Sequence, residues 1–353
     1  MTPDSDMHLM PLELAAPRDD EVLIEISHVG ICHTDIGVQQ QHPLPAVLGH
    51  EGYGTVIQCG DTVSDLTIGD RVVLTFGYCG QCRTCTMAEP AHCQQMPALN
   101  FSGLDRAGET TLTTTDGQPV HGSFFYQSSF ASHAIAHQNN AVRVARDLPP
   151  ALMATLGCGV QTGAGAVVNT FAAEPGASLV CVGVGSVGLS AIMAARIARC
   201  QWIIAVDPNP QRRQVALEVG ATHVFDAADD WVGEVQTISD GGADYCLDTA
   251  GLVTTLHAAL DCVRPGGHVA LATVPHWSEG FHFHPAALAM GRTLTGIVEG
   301  SSNPQVFIPQ LAQWVANGAL PLDTIVTEYP FEAINTALDD LAAGRVIKPV
   351  LVL

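Results

Sequence analysis

The stretch "ASLVCVGVGSVGLSAIMAARIARC" constrains this chain more than any other. A short apolar run ends in glycine and gives way to apolar residues at helical spacing. Gly183, Gly185 and Gly188 form G-x-G-x-x-G. Alone the pattern is weak, because glycine-rich turns are common. The strand before it, the helix after it and Asp207, nineteen residues beyond Gly188 at the end of "QWIIAVD", make it specific. The first glycine makes the tight turn, the second lets backbone approach a pyrophosphate, and the third lets helix pack on strand. The helix N-terminus adds free N–H groups and a positive dipole end. Asp207 can accept both ribose hydroxyls and repels a 2′-phosphate, which favours NAD over NADP. Arg212, five residues on, either covers the adenosine ribose or is an ordinary solvated helix residue.

The text around this motif alternates. "PQRRQVALEVGA" and "LHAALDCVRPGG" have helical spacing; "THVFD", "ADYCLDTAG" and "HVALATV" read as strands. Such alternation predicts a doubly wound parallel sheet with both faces covered. Upstream, "EVLIEISHVG", "GYGTVIQCG" and "GDRVVLTFGYCG" read as strands punctuated by glycine, and "PALMATLGCGVQTGAGAVVNTF" as one long helical stretch. The end returns to a helix, "FEAINTALDDLAAG", and a strand, "KPVLVL". The expected layout is a β-rich domain over 1–159, an α/β nucleotide-binding domain over 160–297, and a return to the first domain over 298–353.

The 353 residues are 47% hydrophobic and 14% charged, with formal net charge −21. That composition suits a large folded enzyme rather than a disordered chain. The acidic charge opposes nucleic-acid phosphates and anionic lipid as general partners. Of 14 basic residues only Lys348 is lysine. This suits adaptation to high salt, where counterions screen repulsion, or simply a genome that favours arginine codons. "MTPDSDMH" has no basic region of the kind that opens a secretory signal. The uncharged stretches Leu148–Ala173 and Pro175–Ala195 are long enough to span a membrane, but glycines and amide or hydroxyl residues interrupt them. A cytoplasmic protein is expected, its eleven cysteines thiols or metal ligands.

Cys79, Cys82, Cys85 and Cys93 are spaced C-x2-C-x2-C-x7-C. Four thiolates in one loop suit a closed tetrahedral zinc site of structural type. An iron–sulfur cluster shares part of the spacing, but no proline follows the last cysteine and no second cluster motif appears. A second set is dispersed: Cys32 in "GICHTDIG", His50 in "LGHEGYG" and Cys158 in "LGCGVQTG". Cys2His with an open position is a catalytic zinc set. Residues so far apart are not joined by spacing, and each has an ordinary core reading.

These motifs occur together and in order, and over nearly the whole chain they resemble the zinc-dependent medium-chain alcohol dehydrogenases. The resemblance implies a Rossmann domain plus a GroES-like catalytic domain, and two zinc ions and NAD as cofactors. It makes Cys32, His50 and Cys158 ligands of the catalytic zinc, and Cys79, Cys82, Cys85 and Cys93 ligands of the structural zinc. Asp35 would orient His50, and Glu51 would lie behind the metal. Thr34 would take the alcohol proton, with zinc as Lewis acid and nicotinamide as hydride acceptor. Thr162 and Val187 would abut the nicotinamide, and His33 and Lys348 the pyrophosphate. A homodimer or homotetramer is implied.

A narrower similarity, in "LNFSG", "SFFYQSSFASHA" and "LGCGVQTGAGAVVN", is to the aryl-alcohol (benzyl alcohol) dehydrogenases and their relatives acting on geraniol. It implies a primary aromatic or allylic alcohol, oxidised to the aldehyde. A polyol or glutathione-adduct (formaldehyde) dehydrogenase is the alternative within the superfamily. A non-catalytic, nucleotide-binding zinc protein is the alternative outside it. Two departures stand out. Gly37 replaces a histidine that ends the proton relay in liver-type members, and little sequence precedes "PLELAAPRDDEVLI", where the family has an opening strand.

Overall fold

The structure is a computed structural model and describes residues 6–37, 44–273, 280–283 and 285–353. Residues 1–5, part of the stretch read above for a signal, lie outside them. In chain order the strands are β1 (Leu12–Leu14), β2 (Glu21–Gly30), β3 (Glu51–Cys59), β4 (Arg71–Leu74), β5 (Leu112–Thr114), β6 (Pro119–Val120), β7 (His133–His137) and β8 (Ala141–Val144). Then come β9 (Ser178–Val182), β10 (Trp202–Val206), β11 (His223–Phe225), β12 (Ala243–Asp248), β13 (Val263–Leu271) and β14 (Thr293–Gly296), and finally β15 (Val326–Pro330) and β16 (Lys348–Val352).

The chain divides into two units. One comprises Met1–Cys158, Asn303–Asn317 and Ile325–Leu353; the other comprises Gly159–Ser302 and Gly318–Thr324. These bounds differ from the expected ones. The first unit resumes at Asn303 rather than 298, and a short piece, Gly318–Thr324, goes back to the second. No composition change marks either crossing, so the sequence pattern did not reveal them.

In the first unit a sheet runs β15-β16-β2-β3-β4-β8, with β7 also paired to β2. All its pairings are antiparallel except β15 with β16. Val22, Ile24 and Ile26 alternate along β2 into a core shared with Val56, Val72 and the helix Ile334–Ala342. Full burial of each such side chain contributes about 1.5–3 kcal/mol. A small sheet, β1-β5-β6, stands apart.

The second unit is a six-stranded parallel sheet in the order β11-β10-β9-β12-β13-β14. Numbered from β9, this is the 3-2-1-4-5-6 order of dinucleotide-binding folds, whose order reverses between β9 and β12. Strand β9 is buried at every position, as apolar runs covered on both faces should be. The helix Pro210–Val219 starts on Asn209, whose side chain accepts from Gln211 and Arg212 N–H, and stops at Gly220 with φ 127°.

One expected helix is broken. Residues 150–171 form a helix at Pro150–Ala154, a 3-10 turn at Thr155–Gly157, then a new helix at Gly159–Gly165. The break is at Cys158, with φ −144° and ψ −80°. Thr75 Oγ1 donates to the Gly157 carbonyl at 2.7 Å and anchors the turn. Among the described residues no single helix is long and apolar enough to cross a membrane.

Candidate metal centres and dinucleotide site

Cys32 follows the last residues of β2 and opens the short helix His33–Gly37. Asp35 in that helix is fully buried. Its Oδ2 accepts from Cys32 N–H at 2.9 Å, and its Oδ1 lies 2.9 Å from His50 Nδ1 and accepts from Gly49 N–H at 3.2 Å. This holds the His50 ring by Nδ1 and leaves Nε2 buried without a hydrogen-bond partner. The broken helix brings Cys158 to the same place. Ligand atoms of Cys32, His50, Glu51 and Cys158 all lie within 4.8 Å of one another. The Cys32 thiol is held well below its usual range, first by a hydrogen bond with Cys158 and against burial, with His50 and Lys348 helping. A half-buried, acidified thiol beside an orphaned, buried imidazole nitrogen fits a divalent metal. Thr34 Oγ1 lies 3.7 Å from Cys32 Sγ.

Glu51 is fully buried behind this set. Its carboxylate lies so close to Gly30 that a Cβ there would sit 2.1 Å from Oε2. Lys348 Nζ donates to Glu51 Oε1 at 2.6 Å and to the Ile31 carbonyl at 3.2 Å. Lys348, expected at the pyrophosphate, is only 1% exposed, and its ammonium pairs with Glu51. Burial disfavours the charge on each partner, and each partner's charge favours it on the other. His33, the other residue expected at the pyrophosphate, is exposed. A Cβ at Gly37 would meet nothing within 4 Å among the described residues.

Sequence reasoning missed Gln127 and Phe125 as site residues. Gln127 Nε2 donates to the His50 carbonyl at 2.9 Å, and its Oε1 accepts from Gly52 N–H at 3.1 Å, which ties down the backbone around His50. The Phe125 ring stacks on His50, centroids 4.4 Å apart. Both lie in "SFFYQSSF"; the motif was visible, but no spacing rule links it to His50.

The four-cysteine lobe is self-contained. Sγ–Sγ distances are 3.5 Å for Cys82–Cys85, 3.9 Å for Cys79–Cys85 and 4.0 Å for Cys82–Cys93. Thiolates at about 2.3 Å from one zinc ion would be roughly 3.8 Å apart at the edges of a tetrahedron. That match fits a single ion and is too small for a multi-iron cluster. Backbone N–H groups of Cys82, Cys79 and Gln95 point at Cys79 and Cys93 sulfurs at 3.3–3.4 Å, while burial pushes the Cys93 thiol up. The Thr84 hydroxyl leads in pulling the Cys82 thiol down to about 5.

In the second unit, Gly183 follows β9 with φ +84°, and a Cβ there would strike Thr249 Oγ1 at 2.6 Å. A Cβ on Gly188 would strike the Gly183 carbonyl at 2.1 Å, so helix Ser186–Ile197 packs tightly on the turn. Gly185 has open space above it, where a phosphate would approach. Asp207 follows β10, and its Oδ2 accepts from Val184 N–H at 2.9 Å, which places the carboxylate at the glycine turn. Arg212 is half-buried, its Nε without a hydrogen-bond partner, on the helix after Asp207. Gly163, the neighbour of Thr162, packs so closely that a Cβ there would strike the Val187 carbonyl at 2.0 Å.

A glycine-turn parallel sheet, a β-rich unit and two thiolate-rich sites with metal-binding geometry define a zinc-binding dehydrogenase. Residues 18–146 match the family described as alcohol dehydrogenase GroES-like domain, and residues 186–317 the family described as zinc-binding dehydrogenase. The chain is 43% identical to the geraniol dehydrogenase of Castellaniella defragrans, over 97% of this chain and 93% of that one. The crystal structure of benzyl alcohol dehydrogenase from Acinetobacter calcoaceticus superposes with TM-score 0.96 at 39% identity, covering 100% of this chain and 97% of that one. An alcohol dehydrogenase zinc-binding domain protein from Burkholderia ambifaria gives TM-score 0.95 at 46% identity, covering 98% and 94%. The chain therefore belongs to the zinc-dependent medium-chain alcohol dehydrogenases, whose members use zinc and NAD.

Proposed function

We propose that this alcohol dehydrogenase oxidises a primary aromatic or allylic alcohol, of benzyl alcohol or geraniol type, to the aldehyde with NAD. The reaction is RCH2OH + NAD+ giving RCHO + NADH + H+. The observation that carries the reading is the convergence of Cys32, His50 and Cys158 ligand atoms, with Thr34 Oγ1 3.7 Å from Cys32 Sγ. Zinc bound by Cys32, His50 and Cys158 would supply Lewis acidity to the alcohol oxygen, and NAD would accept the hydride. The Thr34 hydroxyl takes the alcohol proton and passes it outward through solvent, since Gly37 offers no base. Asp35 fixes which His50 nitrogen faces the metal. Cys79, Cys82, Cys85 and Cys93 hold the second, structural ion.

In the second unit Gly183, Gly185 and Gly188 accommodate the pyrophosphate, and Asp207 selects NAD by binding both ribose hydroxyls. Thr162 and Val187 flank the nicotinamide, Arg212 supplies an outer contact, and His33 and Lys348 face the pyrophosphate. Work as a homodimer or homotetramer in the cytoplasm completes the proposal. The relatives' names support the substrate class: one is a geraniol dehydrogenase, another a benzyl alcohol dehydrogenase. The test is NADH formation from benzyl alcohol, geraniol, ethanol and sorbitol, with NAD and NADP in parallel. The two conjugated alcohols with NAD should give the highest kcat/KM. A preference for sorbitol or ethanol would sink the substrate claim, and a preference for NADP the role of Asp207.

A further inference from the structure

We propose that Phe101 is the specificity-determining residue of the alcohol site, and that the four-cysteine lobe holds it in place. The inference rests on the alcohol dehydrogenase reading above. A ladder of rings leads away from His50. Phe125 stacks on the imidazole at 4.4 Å and 27°, and Phe124 meets it edge-on at 5.5 Å and 90°. Phe101 then meets Phe125 at 5.2 Å and 80°, and Phe124 at 6.1 Å and 64°. Phe124 and Phe125 are buried, whereas Phe101 stays 40% exposed. The ladder therefore begins at a metal-ligand candidate and ends in an open aromatic surface. Phe101 is the one ring of this ladder left open to a ligand, and a benzylic or allylic alcohol held at the His50 centre carries its conjugated part next to the reacting carbon. Aromatic rings prefer edge-on or offset contacts at these spacings, so such a group gains more there than a short alkyl chain does.

The backbone is bent to make this wall. Ser123, Phe125, Tyr126 and Ser128 all have φ between 49° and 56°, unfavourable for residues with side chains. Hydrogen bonds hold the conformation: Phe124 N–H donates to Ser128 Oγ at 2.9 Å, and Asn140 Nδ2 donates to the Tyr126 carbonyl at 3.2 Å. Phe101 itself ends the helix Met96–Phe101, which begins just after Cys93. Met96 N–H donates to the Cys93 carbonyl at 3.0 Å. Asn100 bonds both polar groups of Gly77, accepting from N–H at 2.8 Å and donating to C=O at 2.9 Å, two residues before Cys79. Both ends of the cysteine loop thus fix the ring, with Asn100 as a positioning residue.

Wild type, Phe101→Ala, Phe101→Leu and Asn100→Ala are compared by kcat/KM for benzyl alcohol, geraniol and ethanol with NAD. Calorimetry of benzamide against acetamide on the protein–NADH complex reads binding without turnover. Phe101→Ala should cut kcat/KM for the conjugated alcohols by about ten-fold or more, the scale of lost apolar pocket contact, with a much smaller change for ethanol. Benzamide affinity should fall while acetamide affinity holds. Phe101→Leu should recover part of the loss, and Asn100→Ala should shift the ratio in the same direction as Phe101→Ala. A wild-type preference for conjugated alcohols that Phe101→Ala leaves unchanged overturns this inference alone. An unchanged ratio in Asn100→Ala overturns the role of the lobe. No wild-type turnover of either conjugated alcohol overturns the functional reading and this inference with it.

Discussion

The two thiolate-rich centres are built by opposite means. Cys79, Cys82, Cys85 and Cys93 lie in one loop, and their own backbone N–H groups serve the sulfurs. Cys32, His50 and Cys158 come from the end of β2, the turn before β3 and a helix break, and the fold alone brings them together. The first is partly exposed at Cys82 and Cys85; in the second, His50, Asp35, Glu51 and Lys348 are buried almost completely. A local centre depends on its ion for its own shape, whereas a dispersed one is shaped by the sheet before any ion arrives. Loss of the lobe ion should therefore cost stability and substrate fit, and loss of the dispersed ion should cost chemistry.

The sharpest break in that comparison comes from Cys158→Ala. Turnover should fall by more than about a thousand-fold, since Lewis-acid stabilisation is worth several kcal/mol, while circular dichroism and NAD binding hold. Retained turnover would undo the ligand assignment. Next is Lys348→Met, which takes the ammonium away from the buried Glu51 carboxylate. Removing one partner of a buried pair costs about 3–5 kcal/mol, to be read from urea unfolding. Adding Glu51→Gln should recover part of that; a double variant as unstable as the single one would contradict the pairing. Asp35→Asn keeps the shape but weakens the hold on His50, and activity or zinc affinity should drop about ten- to a hundred-fold. An unaffected zinc titration would remove Asp35 from the site.

The smallest effect lies outside both centres. Burial pushes His137 down to about 4, with Arg106 acting the same way and Asp20 against it. The folded protein keeps this imidazole neutral, whereas an unfolded chain takes up a proton near pH 6.5. The contribution is thus fully present above about pH 6.5 and is lost as pH falls toward about 4. His137→Gln should make the acid limb of the stability curve shallower; an unchanged slope would discount it.

What the sequence reveals follows the same divide. The glycine turn, its acid and the cysteine loop are local patterns, so the parallel sheet and the grouping of the four cysteines are legible in the text, whereas the strand order is not. Asp35 and Glu51 were identified only through the resemblance. Lys348 shows the limit most plainly. As the chain's one lysine it invites a phosphate partner; its pairing with Glu51, 297 residues away in the chain, follows from β16 lying beside β2. The helix break at Cys158 escaped notice because glycine-rich helical text does not say where it stops. The excursion at Gly318–Thr324 and the Phe125 stack on His50 depend on contacts that no short window of sequence contains.

The most direct test of the account sets Cys158→Ala beside Cys82→Ser, with zinc per chain and NAD-linked benzyl alcohol oxidation measured on the same samples. Both variants should carry one zinc against two in the wild type. Cys158→Ala should be folded and inactive, and Cys82→Ser less stable but still able to turn over. Turnover by Cys158→Ala with none by a folded Cys82→Ser would contradict the division of labour between the two centres.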